Sequence, residues 1–191
     1  QAVAGHLGAL AAARHGLRLP GAFDGFETAV RTILGQQVSV KAARTLAGRL
    51  VERFGTPIDT PFAGVRSLFP AAAVLADCAP SEIAALGIIA ARAQAIVALA
   101  RAVAEGNILL SPNVNVDNAI AKLRELPGIG EWTPQAIAPR ALHWPAAFPA
   151  GDAGVLKALK QRQAMQATRI AEQWRPWRAY AVMHLWTALE E

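Results

Sequence analysis

The sequence predicts an all-α fold of many short helices. Three observations predict it: apolar residues recur at helical spacing nearly everywhere, alternating strand patterns are almost absent, and glycine and proline cut the helical stretches short. With 53% apolar and 17% charged residues among 191, the chain can build a real core, which excludes a disordered tail. No apolar run reaches the roughly 18 residues of a membrane-spanning helix, which excludes a multi-span membrane protein. The formal net charge of +5 fits a polyanionic partner such as nucleic acid without identifying one. Gln1 to His6 carry neither an initiating Met nor a basic stretch, so no signal peptide is expected and the chain is expected to be cut from a longer one.

The elements follow in order. Asp24 with Glu27 reads as a capping box, and Phe26, Ala29, Val30, Ile33 and Leu34 form the apolar stripe of the helix behind it. Ser39 caps a second helix, expected to turn Val40, Ala43, Leu46, Ala47, Leu50, Val51 and Phe54 inward and to end on Gly55 as its C′ residue. Thr56 to Pro70 reads as loop. Ser81 with Glu82 starts a short helix that stops at Gly87, Ile89 to Ala104 is a longer one, and Asp117 caps another to about Glu125. Leu126-Pro127-Gly128-Ile129-Gly130 is a tight turn, followed by a helix from Glu131 to about Leu142. Pro134 suits that helix's first turn, whereas Pro139 falls where a proline costs about 3 kcal/mol, so the helix is either kinked there or shorter. Asp152 caps a helix over Val155–Gln161, and two closing helices are separated at Arg175-Pro176.

Several of these residues can carry chemistry. In the Leu126–Gly130 turn, the two glycines allow torsions that a side chain forbids. They also leave the amides of Gly128, Ile129 and Gly130 free at the start of a helix, where an anion is favoured. The same residues also suit an ordinary helix–helix turn. Asp152, closing the Gly/Pro-rich stretch Phe148–Gly151, can be a helix cap or a fixed negative charge that stabilises a developing cation. Between residues 153 and 189 six basic side chains (Lys157, Lys160, Arg162, Arg169, Arg175 and Arg178) face one acid, Glu172; they can follow phosphates or form a solvated face. The lone Cys78 supports neither a disulfide nor a thiolate metal site and reads as a buried small hydrophobe. The four histidines, 6, 15, 143 and 184, show no metal-ligand spacing, and His184 reads as structural.

Taken together, the Leu-Pro-Gly-Ile-Gly turn and the downstream Gly/Pro-rich loop ending in Asp152 resemble the helix-hairpin-helix DNA glycosylases. Leu34-Gly35-Gln36-Gln37-Val38-Ser39, Gly130-Glu131-Trp132-Thr133, the stretch Trp174–Ala181 and His184-Leu185-Trp186 resemble the alkyl-base branch, the DNA-3-methyladenine glycosylase II family. The likeness runs from about Leu17 to the C-terminal end and extends to the glycosylase part of proteins that fuse this domain to an adaptive-response regulator. It implies two helical lobes with a cleft between them and one catalytic region over residues 1–191; the family's usual N-terminal β-rich lobe is expected to be absent here or cut away.

The resemblance also implies roles. Asp152 matches the catalytic aspartate. Trp132 and Trp186 match aromatic positions lining the pocket for the flipped base, where a cationic alkylated base stacks on indole for about 0.5–2 kcal/mol. Ala136 and Ala153 fall where relatives can carry tyrosine, implying a wider, less aromatic pocket. Gln37 matches the residue wedged into the DNA stack, often apolar elsewhere. Gly128, Ile129 and Gly130 match the phosphate-binding hairpin. Trp132 stands where strand-cleaving relatives place a lysine, so no lyase activity is expected. The expected function is a monofunctional glycosylase that flips alkylated purines such as 3-methyladenine from duplex DNA and leaves an abasic site. The alternatives are a helix-hairpin-helix DNA-binding module without catalysis and an all-α protein-interaction domain. No cofactor or metal ligand set is expected; some relatives bind a monovalent cation between hairpin carbonyls and phosphate. The expected partner is double-stranded DNA with alkylated bases, met by a monomer in the cytoplasm with no membrane association.

Overall fold

Eleven α-helices and one two-residue strand pair are present in the computed structural model, which describes residues 7–189. The residues Gln1 to His6 used for the signal-peptide reading, and His6 among the histidines, lie outside the described residues. Helix α1 spans Gly8–Ala13, α2 Gly25–Leu34 and α3 Val40–Phe54; β1 (Thr56–Pro57) and β2 (Ser67–Leu68) follow. Then come α4 (Ala72–Ala76), α5 (Pro80–Ala84), α6 (Ala90–Ala104), α7 (Val116–Arg124), α8 (Trp132–Ala141), α9 (Ala153–Ala158), α10 (Ala164–Ala171) and α11 (Arg178–Thr187), with a 3₁₀ turn at Glu172–Trp174.

The apolar side chains gather into two cores, which define two lobes. The larger is built from α2 to α8: Val30, Ile33 and Leu34 meet Leu50, Ile83, Ile96, Leu99, Leu123 and Ile137, all fully buried. Burying each such side chain contributes roughly 1.5–3 kcal/mol. The alanine bias has a packing reason here, because Ala93, Ala95 and Ala100 of α6 are 0% exposed and let α4, α5 and α2 lie close against that helix. The smaller core joins Phe148, Val155, Leu159, Trp174, Val182 and Leu185 with Leu7, and Phe148 meets Trp174 edge-on at 6.2 Å between ring centroids. Cys78 is buried, which pushes its thiol pKa up and keeps it protonated.

The stripe of α2 is buried at all five expected positions, and Asp24 Oδ1 accepts the Glu27 amide at 2.9 Å. Glu27 itself pairs with Arg31 at 2.6 Å. Ser39 caps α3 through the Ala42 amide (3.2 Å). Only Ala47 and Leu50 of that helix are fully buried, and Val40 is exposed because it lies at the mouth of a cavity. Gly55 ends α3 in an extended conformation (φ −70°, ψ 157°) instead of the left-handed C′ form. What it requires is space, since a Cβ would sit 2.4 Å from the Val51 carbonyl oxygen.

Other caps also differ from expectation. Helix α5 is capped by Ala79, two residues before Ser81, because Pro80 takes the first helical position and Glu82 accepts the Ala79 amide at 2.9 Å. Asn115, not Asp117, caps α7, accepting the Asn118 amide at 2.9 Å. The expected Thr56–Pro70 loop contains the β1–β2 pair, too short to show alternation. Helix α8 passes through Pro139 to Ala141, with Pro139 in its final turn. The last helices separate at Arg175-Pro176, as expected.

Candidate active site

The site lies where the two lobes meet, at the C-terminal end of α2, the N-terminal ends of α8 and α9, and α11. Asp152 is the N-cap of α9: its Oδ1 accepts the Val155 amide at 2.9 Å, which fixes the carboxylate at the lobe boundary. The preceding loop is pinned by the Phe148 amide donating to Gln135 Oε1 of α8 (2.9 Å). Two tryptophans converge on the same carboxylate. Trp186 Nε1 of α11 donates to Oδ1 at 2.9 Å, and Trp132 Nε1 of α8 donates to Oδ2 at 3.3 Å. Asp152 therefore accepts three N–H groups while remaining only half-buried.

Gly154 makes this arrangement fit. A Cβ there would stand 3.0 Å from Trp186 Cδ1 and 3.1 Å from Asp152 Oδ1, so the indole or the carboxylate would have to give by a few tenths of an ångström. The sequence reading missed Gly154 because nothing in its local pattern announces a contact with α11.

Two cavities meet at Trp132, which lines both. One, of about 760 Å³, is walled by Trp132, Trp186 and Ala136, with Arg140 and Arg44 at its edge. The other, of about 720 Å³, holds Asp152, Ala153, Gln37, Gly128 and Gly130. The structure thus brings together every expected site residue except Ile129, and places Ala136 and Ala153 on different sides of Trp132.

The turn between α7 and α8 behaves partly as expected. Gly128 has φ +74°, a left-handed conformation suited to glycine. Gly130 is not left-handed; the space where its Cβ would stand is open, which leaves room for close approach to its backbone. Ile129 departs from expectation: its side chain is buried at 6% exposure and its amide closes the turn on the Leu126 carbonyl (3.2 Å). It anchors the turn instead of presenting a free donor, whereas the Gly128 and Gly130 amides have no protein partner among the described residues. Gly128→Ala is expected to lower stability by about 1–2 kcal/mol and to weaken DNA binding, checked by thermal unfolding and by titration of a labelled duplex.

Gln37 is exposed at the cleft with φ +52°, a conformation that costs a residue with a side chain about 1–3 kcal/mol. Beside it, Gln36 escaped the sequence reading. Its Nε2 donates to the hydroxyl of the buried Thr133 (2.9 Å) and to the Gly128 carbonyl (3.3 Å), and its own carbonyl accepts the Arg92 guanidinium.

The C-terminal basic residues do not act as one group. Arg178 is buried and donates to the Ala146 carbonyl at 2.7 Å and to Glu172 at 3.1 Å; burial pushes its guanidinium pKa down. Arg175 pairs with Glu172 at 2.6 Å, and that hydrogen bond holds the Glu172 carboxyl below the usual range. Trp174 is in the core and Trp177 is exposed. His184 has a buried Nδ1 with no partner among the described residues, and burial lowers its pKa. Among the described residues no cluster of three or more His, Cys, Asp or Glu could hold a metal ion, and no helix is long and apolar enough to cross a membrane.

Comparison with known proteins gives relatives for this arrangement. The chain is 41% identical over 181 residues to a probable bifunctional transcriptional activator/DNA repair enzyme of Mycobacterium tuberculosis, covering 92% of this chain and 36% of that one. It is 39% identical over 186 residues to DNA-3-methyladenine glycosylase 2 of Escherichia coli, covering 97% of this chain and 65% of the relative. It therefore spans between about a third and two thirds of these relatives' lengths. Its fold matches a 3-methyladenine DNA-glycosylase from Archaeoglobus fulgidus with a TM-score of 0.79 at 24% identity, over 95% of this chain and 64% of that one. It likewise matches a Schizosaccharomyces pombe 3-methyladenine DNA glycosylase bound to abasic DNA with a TM-score of 0.78 at 19% identity, over 98% and 92%. Residues 30–177 match the HhH-GPD superfamily, and with the hairpin, the Gly/Pro-rich loop and its aspartate in place, the chain belongs to this superfamily of base excision DNA repair proteins.

Proposed function

We propose that the protein is a monofunctional DNA glycosylase that removes alkylated purines such as 3-methyladenine from duplex DNA and leaves an abasic site. The observation that carries this reading is the Asp152 carboxylate, tied to both indole N–H groups where the tryptophan-walled cavity meets the glycine-turn cleft. The strand would run through the cleft of about 720 Å³, with phosphate at the Gly128 and Gly130 amides, and the extruded base would enter the cavity between Trp132 and Trp186. Gln37, projecting from its strained turn, would fill the gap left in the stack. Ala136, on the cavity wall, leaves room around the base, whereas Ala153 lines the strand cleft beside Asp152.

The chemistry follows from charge. A ring-alkylated purine is cationic and electron-poor, so it stacks on indole π faces, while the indole N–H edges are committed to Asp152; the two uses do not compete. Such a base departs as a neutral group and needs little acid catalysis. The sugar it leaves is oxocarbenium-like, and ionised Asp152 stabilises that charge and orients the attacking water. Trp132, standing where an amine would be needed, offers no route to a Schiff base, so strand cleavage is absent from this proposal. No cofactor is needed. A monovalent cation at the hairpin would find neutral backbone carbonyls, a donor set suited to a hard cation. A monomer acting on DNA in the cytoplasm, with the whole chain as one catalytic region, belongs to the same reading.

The test is a duplex carrying 3-methyladenine at one position. Release of free base with alkali-labile abasic sites and no enzymatic strand break is expected; binding without release would leave only a DNA-binding module. Binding is expected to weaken steeply with salt, log affinity falling by about 0.9 per neutralised phosphate for each tenfold rise in salt. Affinity independent of salt would contradict the placement of the strand in this cleft.

A further inference from the structure

We infer that Gln36 and Arg92 form a clasp that holds the wedge turn and the phosphate-binding turn in one register, so that extrusion of a base and grip on its strand occur together. This inference rests on the glycosylase reading above and assigns to these two residues a positioning role.

The geometry ties residue 36 at both ends. Its side-chain amide reaches across the lobe to Thr133 Oγ1 at 2.9 Å and to the Gly128 carbonyl at 3.3 Å. Thr133 is 2% exposed, in the first turn of α8, and therefore serves as a fixed point. The backbone of residue 36 is held from a third element, since the Arg92 guanidinium of α6 donates to its carbonyl. Arg92 lines the cleft and pairs with no carboxylate among the described residues; its guanidinium is held by that carbonyl. The next residue is Gln37, whose φ of +52° has to be imposed by its surroundings. A peptide fixed immediately before a strained residue supplies that constraint. The bond to Gly128 links the same peptide to the glycine whose amide faces the phosphate site. Movement of either turn therefore moves the other.

The consequence is specific to extrusion. A wedge held in register matters most when the base must be pulled from a paired stack, and least when the base is already unpaired. Gln36→Leu keeps the side-chain bulk and removes both donors; Arg92→Met removes the guanidinium from the backbone end. Both are compared with the parent on duplexes in which 3-methyladenine faces thymine or faces a tetrahydrofuran abasic analogue, under single-turnover conditions. On the paired lesion each variant is expected to excise about tenfold more slowly, and on the unpaired lesion within about threefold of the parent. Arg92→Lys, which keeps a donor, is expected to recover part of the loss. Equal losses on both duplexes, or no loss on either, would overturn the clasp. Should one variant fail to fold, the other carries the same comparison. A parent protein that releases base from neither duplex would instead defeat the glycosylase reading.

Discussion

Asp152→Asn is expected to excise alkylated bases at least about 10³-fold more slowly than the parent while binding the same duplex as tightly or more tightly. The substitution isolates charge from structure. Asparagine caps a helix as well as aspartate does, so the 2.9 Å bond from the Val155 amide, and with it the start of α9, is expected to survive. What disappears is the anion facing the sugar as it becomes cationic. With the cap kept on Oδ1, which also accepts Trp186, the variant turns its NH₂ group toward the Trp132 N–H that Oδ2 accepts in the parent. Tighter binding follows from removing a negative charge from a surface that meets phosphate. Single-turnover rates and equilibrium titration of one duplex read the two effects apart.

Trp186→Phe is expected to lower the excision rate by about 10–100-fold with little change in duplex affinity. Phenylalanine keeps a ring for stacking and loses the N–H that donates to Asp152 at 2.9 Å. A hydrogen bond to a charged group is worth about 1.5–3 kcal/mol, which sets the size of the loss if that bond orients the carboxylate in the transition state. Trp186→Ala removes the stacking wall as well and is expected to weaken selection of the damaged base in addition to slowing its release. If Trp186→Phe excises at the parental rate and only Trp186→Ala loses activity, the tryptophan works only as a wall. Gly154 supports the same contact, since a Cβ there would crowd both Trp186 and Asp152 at 3.0–3.2 Å.

The parts of this fold that could be read from sequence are those set by neighbours along the chain. The apolar stripe of α2 and the caps at Asp24, Ser39 and Asp152 are local patterns, and each appears where the spacing puts it. Sequence patterns misplace helix starts where two capping candidates compete: Pro80 takes the first helical position and puts the cap of α5 on Ala79, and Asn115, still extended, caps α7 two residues before Asp117. The β1–β2 pair spans two residues a side, too few to display alternation. Within the site, the residues were legible through the resemblance, but their mutual geometry was not. Gln36 finds its partners 92 and 97 residues away, and Trp186 reaches Asp152 across 34. No local pattern encodes such pairs; they exist only once the lobes have closed. The basic C-terminal segment illustrates the converse, because Arg178 reads as a surface cation and is instead spent on a backbone carbonyl and Glu172 inside the smaller lobe.

A crystal structure of the Asp152→Asn variant with a duplex bearing one alkylated purine would show where the base, the sugar and the phosphate sit. The expected structure holds an extruded purine between Trp132 and Trp186, with the residue 152 side chain within about 3–4 Å of the anomeric carbon and the strand's phosphate at Gly128 and Gly130. A base still stacked in the duplex, or a sugar lying on the far side of Trp132 from residue 152, would contradict it.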